Sequence, residues 1–93
     1  MASDAAERLF KVEIIAADGS SFEFYTSHMQ ILCQSGWRGI MKNNGPVFAL
    51  LDKGKMYYID DEDEKNYIYV NEGTLAVIDR KTRILTQSFE VLA

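Results

Sequence analysis

Apolar and polar residues alternate through Phe10-Lys11-Val12-Glu13-Ile14-Ile15-Ala16 and again through Ser21-Phe22-Glu23-Phe24-Tyr25-Thr26. That period of two belongs to strands with one buried face. Asp18-Gly19 lies between the two segments and favours a tight turn, because glycine accepts positive φ, so the pair reads as a hairpin. Met29–Gln34 is a third short apolar run, and Val47–Leu51 is a buried run that ends at the turn Asp52-Lys53-Gly54. Lys55–Ile59 and Asn66–Val70 are rich in the aromatic and β-branched side chains that pack well on a pleated surface. The acidic stretch Asp60–Lys65 joins them as a solvated hairpin end. Beyond the turn Asn71-Glu72-Gly73, the runs Thr74–Ile78 and Arg83–Gln87 flank a turn at Asp79–Thr82. The final residues Ser88–Ala93 are expected to extend the last strand or to begin an element that the given residues do not contain. Three glycines and one proline fall in the twelve residues Ser35–Pro46, which predicts a shaped loop from Gly36 to Pro46. Residues 1–8 are polar and alanine-rich and read as a frayed start.

Short strands at regular spacing with turn chemistry between them predict an all-β fold: a small two-sheet β-sandwich or flattened barrel of about eight to ten strands. No stretch holds a helical period for three turns, and no internal repeat is present. With 93 residues the chain makes a single domain, 1–93, and its 47% hydrophobic content is enough for a real core. The net charge of -4 argues against nucleic acid, which selects basic surfaces. The only dense basic stretch is Arg80-Lys81-Thr82-Arg83. No apolar run is long enough to span a bilayer, and the start lacks the hydrophobic core of a signal peptide, so a cytoplasmic or equivalent compartment is expected. The single cysteine, Cys33, excludes an intramolecular disulfide and fits a reducing compartment.

Catalytic, cofactor and metal sites are not expected. His28 is the only histidine, and one His with one Cys cannot supply a zinc site. The odd separation of His28 and Cys33 places them on opposite faces of a strand, which predicts a surface histidine and a buried cysteine. Asp60–Glu64 lacks the ligand spacing and central glycine of an EF-hand loop, so a charged hairpin tip is expected. Gly36-Trp37-Arg38-Gly39 lacks the lysine and hydroxyl residue of a phosphate loop, and no serine sits in a nucleophile elbow. The tyrosines are read as core and sheet surface. An aromatic platform of Tyr57, Tyr67 and Tyr69 that binds a carbohydrate or small ligand is the alternative, and a Cys33–His28 enzyme is a further one. The Gly36–Pro46 stretch carries the only tryptophan, beside Arg38, Met41 and Lys42. Trp and Arg dominate interface hot spots, so Trp37 either faces a partner or plugs the end of the sandwich.

The order of these features resembles the N-terminal domain of the epsilon subunit of rotary F-type ATP synthases, from about Phe10 to Thr86. Gly36, Gly39 and Ile40 fall on the family's glycine–glycine–aliphatic loop, Pro46 on its second loop proline, and Val47–Leu51 on the apolar run that follows. Lys53-Gly54 matches the turn before the fourth strand. Tyr67-Ile68-Tyr69-Val70 with Gly73 resembles the strand entering a glycine turn, and Thr74–Ile78 with Ile84–Thr86 the closing strands. The chain departs from the family where Lys42 replaces the first loop proline, Asn44 the histidine, Gly45 the small residue before the second proline, and Trp37 an acidic residue.

The resemblance implies a non-catalytic rotor part that couples the gamma subunit to the c ring of a proton-translocating synthase. It would sit peripherally on the cytoplasmic face of the bacterial inner membrane, with no direct membrane insertion. It further implies ring contacts at Trp37, Arg38, Met41, Lys42 and Asn44, and gamma contacts at Phe48, Tyr67, Tyr69 and Glu72. Family members continue into a two-helix hairpin that regulates hydrolysis and in some species binds ATP. The sequence ends at Ala93, where the hairpin would begin, so neither ATP binding nor inhibition by that arm is expected.

Overall fold

The computed structural model describes residues 8–79 and 81–92, so most of the expected frayed start, Arg80 and Ala93 lie outside the described residues. Those described form ten strands and no helix: β1 Phe10–Ala16, β2 Ser21–Thr26, β3 His28–Cys33, β4 Gly36–Met41, β5 Val47–Leu51, β6 Gly54–Ile59, β7 Lys65–Val70, β8 Gly73–Ile78, β9 Lys81–Thr86 and β10 Phe89–Leu92.

Hydrogen bonding links the strands in the order β10-β7-β6-β3-β5-β8-β9-β1-β2, with β4 on the remaining edge of β3. The seam is β3. One of its edges pairs with β4 along its whole length, from His28–Met41 to Cys33–Gly36. The other edge is shared: β6 pairs with His28, Met29 and Gln30, and β5 reaches only Cys33, through Leu51. The sheet therefore turns back on itself into two leaves of five strands, β4-β3-β6-β7-β10 and β5-β8-β9-β1-β2. All pairs are antiparallel except β1 with β9. The inward residues of both leaves form one core, including Val12, Ile14, Met29, Ile31, Ile40, Met56, Ile68, Leu75 and Ile84. Burying each such side chain stabilises by about 1.5–3 kcal/mol. Across the open side, Phe24 of β2 stacks on Tyr58 of β6 with centroids 3.8 Å apart and planes 17° from parallel.

Two of the three places where the chain passes from the second leaf to the first, β2 to β3 and β9 to β10, are corners built alike. Thr26 ends β2 and Thr86 ends β9, and both are buried. The Thr26 hydroxyl lies 2.8 Å from His28 O and 2.6 Å from Ile59 O, and accepts from the His28 N–H at 3.1 Å. The Thr86 hydroxyl lies 2.9–3.1 Å from the carbonyls of Asn71, Glu72 and Ser88. Each hydroxyl thus ties a corner to the end of a strand in the opposite leaf, where the backbone has left its ladder and needs another partner.

The β1–β2 hairpin forms as expected, with Gly19 at φ 91. Four expectations need correction. The predicted Gly36–Pro46 loop is half strand: Gly36–Met41 is β4, and irregular backbone is confined to residues 42–46. Gly36, at φ 119, closes the preceding turn rather than shaping a loop. The third strand starts one residue earlier than expected, at His28. The turn predicted at Asp79–Thr82 is tighter, because Lys81 already pairs with Ile78. The last residues do not extend β9: β10 crosses to the first leaf and pairs with β7.

Candidate partner interface

Strand alternation and register decide which side chains meet on the outside of each leaf. On the first leaf, Trp37, Gly39 and Met41 of β4 stand opposite Leu32, Gln30 and His28 of β3, and Gln30 in turn opposes Tyr57. Tyr57 pairs with Tyr67, Lys55 with Tyr69, and Ile59 with Lys65. This broad face therefore runs from Trp37 and Met41 to Tyr67 and Tyr69. Trp37 is 59% exposed, so it faces solvent and does not plug the sandwich. The Tyr57 and Tyr67 centroids are 6.3 Å apart, and His28 meets Tyr57 edge-on at 6.4 Å. Lys65 Nζ sits 4.4 Å from the Tyr57 centroid and Lys55 Nζ 5.3 Å from that of Tyr67. Three tyrosines do share a face, but lysine ammoniums already cover two of the rings a sugar would stack on.

The candidate ring contacts are not gathered on a loop tip. Trp37 and Met41 lie on the same face of β4, about 13 Å apart along the strand. Arg38 projects to the opposite face, paired with inward-facing Ile31, yet stays exposed because β4 is an edge strand. Lys42 and Asn44 belong to the exit loop at the other end of β4 from Trp37. There, with Arg8, Ser27, Met41, Asn43 and Gly45, they line a groove of about 620 Å³. Asn44 holds that loop: its Oδ1 accepts from the Met41 N–H at 2.6 Å, and its own N–H donates to Met41 O at 3.1 Å.

The candidate gamma contacts are divided between two faces. Tyr67 and Tyr69 share the first leaf's face with Trp37. Phe48 stands on the outside of the second leaf, 72% exposed. Glu72 lies in the β7–β8 turn, at the end of the sandwich away from the Lys42–Pro46 loop, and its carbonyl accepts from Gln87 N–H. Around Phe48 the structure adds residues that the sequence reading passed over: Leu50, Ile78 and Leu85, all exposed. The register places Phe48 opposite Ala76, Leu50 opposite Thr74, and Thr74 opposite Leu85 on the same outer face. The expectation that Val47–Leu51 is a buried run is corrected here: a continuous apolar run usually reads as covered on both faces, but nothing among the described residues covers the outside of this leaf, so Phe48 and Leu50 are exposed and only Leu51 is buried. Charge returns further along this leaf, where Arg83 Nε meets Glu13 at 3.0 Å and Lys11 meets Glu23 at 3.0 Å.

His28 and Cys33 occupy opposite ends and opposite faces of β3, roughly 16 Å apart. Gln30 Nε2 donates to His28 Nε2 at 3.0 Å. Cys33 is buried at 2% exposure, and burial pushes its thiol up while the Arg38 charge pulls it partly back. Native Cys33 should therefore react with a thiol reagent at least about 100-fold more slowly than in the unfolded chain, since only the exposed thiolate attacks. Comparable native and unfolded labelling rates would contradict its place in the core. Asp60 is likewise committed to structure: its carboxylate accepts from the N–H groups of Glu62 and Glu64 and from Asn66, which holds it below the usual carboxylate range.

A two-leaf sandwich that carries exposed aromatic and aliphatic side chains on firm strands presents surfaces suited to docking other proteins. The chain belongs to the family described as the beta-sandwich domain of the ATP synthase delta/epsilon chain, whose model matches residues 9–91. That family is a non-catalytic part of the membrane-bound synthase. The chain is 29% identical over 85 residues to the ATP synthase epsilon chain of Lawsonia intracellularis, covering 90% of this chain and 62% of that protein. It is 28% identical over 85 residues to the epsilon chain of Syntrophomonas wolfei, covering 91% of this chain and 62% of that protein. The chain thus spans under two thirds of the length of these curated relatives. Among solved structures, a chain of the Euglena gracilis mitochondrial ATP synthase (OSCP/F1/c-ring) superposes with a TM-score of 0.81 at 14% identity, covering 90% of this chain and 54% of that one. A chain of the Tetrahymena thermophila mitochondrial ATP synthase (central stalk/c-ring) gives 0.69 at 13% identity, over 86% and 64%. No helix of the described residues is long and apolar enough to cross a membrane.

Proposed function

We propose that this chain is a central-stalk part of a proton-translocating ATP synthase, coupling the gamma subunit to the c ring during ATP synthesis on the cytoplasmic face of a bacterial inner membrane. The observation that carries the reading is the presence of two separate exposed apolar surfaces on one stiff body. A coupling piece needs two docking surfaces that do not shift against each other, and a close-packed sandwich resists such deformation. The β4 edge and its exit loop serve the ring: Trp37 and Met41 supply buried area, Arg38 and Lys42 meet acidic or carbonyl groups, and Asn44 fixes the loop that presents Lys42. The Phe48–Leu50–Ile78–Leu85 patch serves gamma, since it is the more continuous aliphatic surface. Tyr67, Tyr69 and Glu72 then lie outside the gamma footprint.

A chain with Trp37→Ala and Arg38→Ala is the direct test. Both residues are exposed, so the fold should keep its stability to within about 0.5 kcal/mol. Assembly onto the c ring should weaken by at least about 2 kcal/mol, or roughly 30-fold, as loss of two hot-spot residues implies. Unchanged assembly would remove β4 from the ring contact.

A further inference from the structure

The free edge of β4 carries an unfinished ladder. Asn44 caps both main-chain groups of Met41, so these point away from β3. In an antiparallel strand such groups alternate sides, so the N–H and C=O of Gly39 and Trp37 point away from β3 as well. Among the described residues β4 pairs with β3 alone, which leaves these four groups without a main-chain partner. The Asn44 cap ends the open edge on one side, and the Gly36 turn ends it on the other. Between the two open residues stands Arg38, exposed and outside both ion pairs seen among the described residues.

We infer that this edge receives a short extended segment of a partner protein, paired antiparallel to Trp37–Gly39, with an acidic residue directly opposite Arg38. The two partner residues facing Trp37 and Gly39 supply main-chain hydrogen bonds, as in strand addition to an exposed sheet edge. The middle partner residue faces Arg38 in a non-hydrogen-bonded pair, where side chains come closest, about 4.5–5.5 Å between Cβ atoms. Its own N–H and C=O point outward. A second copy of the chain is the wrong occupant. Two β4 edges meeting through the same four groups would set Arg38 against Arg38, and like charges directly opposed are unfavourable. An acidic strand relieves Arg38 instead. This inference goes beyond the rotor reading and does not depend on which subunit carries the segment.

The test uses the whole chain and an acetylated, amidated pentapeptide, Thr-Val-Glu-Val-Thr, followed by amide NMR. Saturable shifts should centre on the Trp37 and Gly39 N–H groups. The same peptide with Lys for Glu should bind about tenfold more weakly. N-methylation of both valines should abolish binding, whereas N-methylation of the glutamate, whose N–H points away, should leave it intact. Arg38→Glu, at an exposed position that keeps the strand, should reverse the preference between the Glu and Lys peptides. Equal binding of the two peptides, indifference to valine methylation, or shifts centred on Tyr57 and Tyr67 would each overturn the inference. A chain that co-elutes with gamma yet ignores these peptides would sink the inference and leave the rotor reading standing.

Discussion

Gly73→Ala is expected to destabilise the chain by about 3 kcal/mol or more, lowering Tm by roughly 12 °C or beyond. A Cβ at residue 73 would lie 1.8 Å from the Leu85 carbonyl oxygen and 2.8 Å from both Leu85 C and Thr86 Cα. Those atoms are backbone, so no rotamer change relieves the clash. Either the β8–β9 ladder separates or the Leu85–Thr86 segment shifts, and the second option disturbs the Thr86 corner beside it. A loss near 3 kcal/mol is a large share of the 5–15 kcal/mol by which domains are usually stable. Gly39 is a useful contrast, because the atoms nearest its added Cβ are the ends of the Gln30 and His28 side chains, which can move. Thermal unfolding of both variants checks the point. A Gly73→Ala chain that loses under about 1 kcal/mol would show that the hairpin spacing yields more easily than the geometry allows.

Thr26→Val should cost about 2 kcal/mol, although it conserves volume and β-branching. The hydroxyl it removes is fully buried and touches the His28 N–H together with the carbonyls of His28 and Ile59. A methyl group in its place leaves those groups desolvated without that partner. The cost falls on the seam between leaves, since Ile59 ends β6 and His28 begins β3. Thr26→Ser keeps the hydroxyl and should recover most of the loss in urea unfolding. If valine and serine behave alike, the corner is held by packing and the hydroxyl is incidental.

Much of this fold was legible because most strands bury one face against a core. In β1, β3 and β9 every second residue is buried, and the sequence shows that beat directly. The β4 strand was illegible for a physical reason. Only Ile40 of its six residues is buried, so no period of two appears, and its two glycines imitate loop composition. The short β10 likewise buries none of its residues fully. Trp37 stands out in the sequence by its type, but its direction depends on β4 being a strand at all. The division of Phe48 from Tyr67 and Tyr69 could not be foreseen either. The family resemblance implies all three as contact residues, whereas only the leaf assignment and register tell which face each one joins. The resemblance implies Asn44 as a contact residue, in the place of the family's histidine. Its oxygen proves to be committed to Met41, a local bond that strand geometry creates and sequence alone does not reveal.

A coupling role requires, first of all, binding between this chain and a gamma subunit. The most direct measurement mixes the purified chain with its cognate gamma subunit, shown independently to be folded, and follows both by size-exclusion chromatography. A stable one-to-one complex that is lost on Phe48→Glu is the predicted result. Separate elution of two folded proteins would contradict the coupling role.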